Sequence, residues 1–102
     1  MASITLDSFE TSIADPMPPA GLGRPLEALW HARKGDWHKA HGLAQAEDGT
    51  EGAWVHAHLH RIEGDLGNAG YWYRRAGRPK SEQALPSEWD EIAGALLLQA
   101  QS

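Results

Sequence analysis

The chain has 102 residues, enough for one domain with a thin core. Its formal charge of −5 repels phosphate backbones, which argues against nucleic acid as a partner. The absence of cysteine excludes a disulfide framework, thiolate chemistry and cysteine-ligated zinc.

The first ten residues have neither a basic region nor a long apolar run, so no leader is expected. Ala95 to Leu98 is the longest apolar run and is far too short to span a bilayer. A cytoplasmic protein with no membrane partner is the simplest expectation.

Residues 1–24 read as an N-terminal arm and a proline-rich connection. Ile4, Leu6, Phe9 and Ile13 suit a strand-like arm or a single helical turn docked on the core. Asp15-Pro16-Met17-Pro18-Pro19 cannot be helical, because each proline removes a donor and restricts its predecessor. A single helical domain is expected over 25–102. Pro25 suits a first helical position, and Leu26, Leu29, Trp30 and Arg33 recur at helical spacing.

Gly35 then offers a left-handed stop and Asp36 a cap for the second helix, which turns Trp37, Ala40, Leu43 and Ala44 inward. This first hairpin spans 25–47 and the second 51–77. Asp48 or Thr50 is the expected cap of the third helix, with Val55, Leu59 and Ile62 on its inner stripe. Gly64-Asp65 repeats the turn. The fourth helix turns Leu66, Ala69, Gly70, Tyr73 and Ala76 inward before Gly77-Arg78-Pro79 breaks the chain. Ser87-Glu88-Trp89-Asp90 reads as a capping box opening a last helix over 87–100, with Trp89, Ile92, Ala93 and Leu96 on one face. Leu97 and Leu98 fall off that face, towards either the N-terminal arm or a second subunit.

A shift of 29 residues aligns the two hairpins. Ala28 falls on Ala57, His31 on His60, Gly35-Asp36 on Gly64-Asp65, and Ala40 on Ala69. Leu26, Trp30, Trp37 and Leu43 fall on Val55, Leu59, Leu66 and Trp72. Small residues at these places let paired backbones approach closely. The spacing resembles the tetratricopeptide (TPR) and Sel1-like class of helical hairpin repeats, with Ala57, His60, Gly64, Ala69, Tyr73 and Ala76 at the motif places. It departs from that class in carrying His60 where tyrosine is preferred, and in a shorter repeat.

The segment from Trp37 to Pro79 is also similar to a group of small, functionally uncharacterised helical proteins carrying W-[IV]-H-A-x-L-H-R-x-E-G-D and N-A-x-Y-W-Y-R-R-A-G. That resemblance implies a fold and brings no activity with it. The expected architecture is therefore all-α: two TPR/Sel1-like hairpins plus a C-terminal capping helix, five helices in all. Two repeats fall below the roughly three such arrays need, so the last helix caps the core or a homodimer partner completes it.

No catalytic residue stands out. Ser-His-Asp and Cys-His signatures are missing, and the glycines at 64, 67 and 70 follow a helix rather than a strand. The sequence points away from an enzyme and calls for no cofactor. Tyr71, Trp72, Arg74, Arg75 and Arg78 form the candidate binding surface, since these residue types are enriched at interaction hot spots. The leading expectation is a protein or peptide interaction module, with a second copy of the chain as one partner. The same arginines also suit the solvated end of a helix, where cations complement the dipole.

The alternative is a protein that binds a small ligand or metal on its histidine- and aromatic-rich hairpin faces. His56, His60 and Glu63 stand at i, i+4 and i+7, a feasible metal-binding row, to which His31, His38 or His41 could add a ligand. His58 is expected to be buried and hydrogen-bonded. Arg61, Glu63 and Asp65 are expected to pair with Arg74 and Arg75.

Overall fold

The computed structural model describes residues 4–100. Residues 1–3 of the expected arm, and the last two residues of the expected domain, lie outside the described residues. Helix α1 (Leu6–Thr11) continues into a 3-10 turn (Ser12–Ala14), followed by α2 (Arg24–Arg33), α3 (Trp37–Gln45), α4 (Thr50–Glu63), α5 (Leu66–Ala76) and α6 (Leu85–Ala100). The all-α expectation holds. The helices among the described residues number six rather than five, because the arm contributes one.

That extra helix has a local cause. Thr5 Oγ1 accepts from the Ser8 amide at 3.1 Å, and Ser8 Oγ accepts from the Thr5 amide at 3.0 Å, a reciprocal capping box. The helix docks through Phe9, which is fully buried and stacks on Trp89 at 5.4 Å between ring centroids. Ser12 Oγ then accepts from Trp30 Nε1 at 3.1 Å, tying the end of the arm to α2.

The two hairpin turns share one geometry. Gly35 and Gly64 are left-handed, with φ of +91° and +85°, which glycine adopts without the Cβ penalty. The Gly35 amide donates to Ala32 O at 3.0 Å and the Asp36 amide to His31 O at 2.9 Å. Gly64 donates to Arg61 O at 3.0 Å and Asp65 to His60 O at 2.9 Å, the same pair of bonds. Asp36 and Asp65 then cap the following helices by accepting from the amides of Lys39 and Asn68.

Helix α4 is the centre of the molecule. It packs on α2, α3, α5 and α6, and every residue from Gly52 to His60 is buried. A helix enclosed on all sides has no polar stripe, which corrects the single inner stripe expected for it. Ile62, expected on that stripe, is exposed. So is Leu66, expected on the inner face of α5, where Ala69, Gly70, Tyr73 and Ala76 are buried as expected.

Two caps also differ from expectation. Gly49 precedes α4, so Thr50 is its first residue and neither Thr50 nor Asp48 caps it. Helix α6 starts at Leu85, with the Glu88 amide donating to Ala84 O at 3.0 Å. Ser87 and Asp90 therefore lie inside the helix rather than forming a capping box, and Glu88 turns into the core.

Two further indole N–H groups find backbone carbonyl partners. Trp89 Nε1 donates to Leu29 O at 2.8 Å, and Trp37 Nε1 to Leu59 O at 2.7 Å. Among the described residues no helix is long and apolar enough to cross a membrane.

Candidate functional site

Three histidines alternate along the buried part of α4, and alternation on a helix sends neighbours to opposite sides. His58 faces α6, while His56 and His60, one turn apart, face α3 and α5. Each has a partner, because a buried polar ring without one is costly.

On the α6 side, Glu88 gathers a closed network. Its Oε1 accepts from His58 Nδ1 and from Arg61 Nη1, both at 2.7 Å, and its Oε2 accepts from the Tyr73 hydroxyl. Burial alone would push this carboxyl up. Hydrogen bonds from His58, Tyr73 and Arg61 outweigh that and hold it below the usual carboxylate range. Tyr73 is raised far above an ordinary phenol, first by burial and then by its bond to Glu88. The ion pairs expected between α4 and α5 give way to other partners: Arg61 reaches across to Glu88 of α6, and Glu63 bonds His60.

On the opposite side, His41 of α3 meets His56 and His60. His41 Nε2 and His56 Nε2 lie 2.9 Å apart, one donating and the other accepting. The His56 and His60 rings stack at 4.9 Å with 20° between their planes, and His41 stands nearly perpendicular to both. One ligand nitrogen from each ring lies within 4.8 Å of the other two. His60 Nδ1 bonds Glu63 Oε1 at 2.9 Å.

Indoles wall the cluster. Trp37 stacks on His41 at 4.8 Å and Trp72 on His56 at 3.8 Å. Desolvation, reinforced by the neighbouring His41 and His60, lowers the His56 pKa to about 4. His41 is lowered by the same leading cause. His56 is thus neutral at pH 7.

The sequence-derived metal row is rearranged. His56 and His60 do share a site, but His41 rather than Glu63 is the third member, and Glu63 stands behind His60. A second group, buried His60 with exposed Glu63 and Asp65, also lies within ligand distance, at the turn from α4 to α5. His31 and His38 stay out of both groups. Which of the three α2–α3 histidines faces α4 depends on how the hairpins cross. The one local signal was that Trp37 and His41 are four residues apart and share a helix face.

The candidate binding surface divides. Tyr71 is 43% exposed, and Arg75 donates to its hydroxyl at 2.9 Å while lying over the Tyr71 and Trp72 rings. Trp72 is half-buried against His56. Arg78 sits elsewhere, 3.7 Å above the Trp54 ring, and Arg74 is exposed. Comparison with protein-family models, curated proteins and solved structures finds no match.

Proposed function

We propose that this protein is a small helical ligand-binding scaffold whose site is the seam of α3, α4 and α5. The observation that carries this reading is the convergence of three imidazoles on one point, walled by Trp37 and Trp72. Structural histidines usually take a carbonyl or a carboxylate as partner, whereas His41 and His56 take each other. Native mass spectrometry of the full chain as purified tests it. A bound mass above that of the bare chain is expected, reduced in His41→Ala. Bare chain alone in both proteins, with no ligand taken up on titration either, would end this reading.

A second reading, the protein or peptide interaction module, is favoured by the exposed Tyr71 beside Arg75 and Arg74, the residue types of binding hot spots. The matching Gly-Asp turns support placing both hairpins in the TPR/Sel1-like class. A cysteine-free chain fits a cytoplasmic setting.

A further inference from the structure

We infer that His41, His56 and His60 form a three-nitrogen site for a divalent transition metal of the zinc class, with Glu63 as the outer carboxylate behind His60. The inference rests on the seam reading above and names the ligand of that seam.

The geometry is close to what such an ion needs. Zinc bonds imidazole nitrogen at about 2.0–2.1 Å, so two nitrogens of one tetrahedral site stand about 3.3 Å apart. His41 Nε2 and His56 Nε2 are at 2.9 Å, so they need to part by only a few tenths of an ångström. The ligand nitrogen of His60 lies within 4.8 Å of both and has to draw closer. The ion replaces one shared hydrogen bond with two metal–nitrogen bonds, and the ring that donated in it carries its proton on Nδ1 instead.

The orientation of the rings is already set. His60 Nδ1 is held by Glu63, which leaves Nε2 as its free lone pair. A carboxylate on the far nitrogen of a ligating histidine fixes its tautomer and strengthens its basicity. Stacking by Trp37 and Trp72 fixes the other two rings, and Trp37 is itself anchored to Leu59 O. A site whose side chains are locked by packing loses little entropy on binding. Three imidazole nitrogens favour zinc, copper, nickel or cobalt over calcium and magnesium, which require oxygen. The fourth position falls to water or an added ligand.

The group of His60, Glu63 and Asp65 competes for His60, and it is the weaker choice. It offers two exposed carboxylates at the turn from α4 to α5, and it removes Glu63 from the outer position.

The test is titration of chelator-treated full-length protein with Zn2+ by calorimetry, and with Co2+ by its visible ligand-field bands. One equivalent is expected, with the band intensity of a four- or five-coordinate nitrogen site. His41→Ala, chosen because His41 is only half-buried, should weaken binding by about 100-fold or more, and Glu63→Gln by about 10–100-fold. Circular dichroism melts confirm that each variant is folded, and His56→Asn serves if His41→Ala is not. His38→Ala, at an exposed position outside the cluster, should bind like wild type. Failure of both metals to bind overturns the inference, as does tight binding that survives His41→Ala but is lost in Asp65→Asn. An organic mass retained by the purified chain and lost in His41→Ala, with no metal affinity, would keep the seam as the site and sink the metal. Failure of both experiments removes the seam reading as well.

Discussion

Gly64 and Glu88 illustrate two ways in which one residue sets the fold. Gly64 has a φ of +85° and open space where a Cβ would sit, so alanine there meets no clash. The cost of Gly64→Ala is backbone strain alone, about 1 kcal/mol or somewhat more, read from urea unfolding midpoints. Glu88 acts through charge. Replacing it with alanine leaves Arg61 and His58 facing a buried hole, and about 3 kcal/mol or more should be lost. Its folded pKa lies below the unfolded value, so its contribution is present above the unfolded pKa and is lost as pH falls through the folded one. Wild type should therefore lose stability in acid, below about pH 4, more steeply than Glu88→Gln. Equal slopes for the two proteins would show that Glu88 is not the group responsible.

At the scale of elements, what could be read from sequence was what is decided locally. Gly-Asp pairs gave both hairpin turns, because a left-handed stop and an aspartate cap need only neighbouring residues. The arm was ambiguous, since Phe9 is one large apolar residue whose partner, Trp89, lies on the last helix. Phe9→Ala should cost about 3–5 kcal/mol, measured by chemical denaturation; a cost below 1 kcal/mol would mean that α1 is only loosely attached. Ser87-Glu88-Trp89-Asp90 misled for the opposite reason. It has the local pattern of a cap, but Glu88 is needed 27 to 30 residues away by Arg61 and His58, and α6 begins two residues earlier to deliver it. The histidine cluster was half legible: one turn of helix joins His56 to His60, whereas His41 comes from another hairpin.

For the whole molecule, α6 decides what is left to meet a partner. Leu96 and Leu97 are buried within the chain, α1 lies against α6, and Leu98 is 72% exposed. A homodimer through this helix would thus have little apolar surface and would be weak; we keep it as a proposal. Sedimentation velocity should show concentration-dependent association for wild type and none for Leu98→Glu. Monomers in both cases across micromolar concentrations would sink it. The enclosure of α4 carries a consequence in time rather than in affinity. With no solvent face from Gly52 to His60, its amides should exchange hydrogen only through global opening, more slowly than those of α5. His56 and His60 belong to this last-opening segment, and half-buried His41 is the edge of their cluster nearest solvent. Anything held between the three rings would come and go past His41, on a clock set by that one side chain while the helix behind it stays shut.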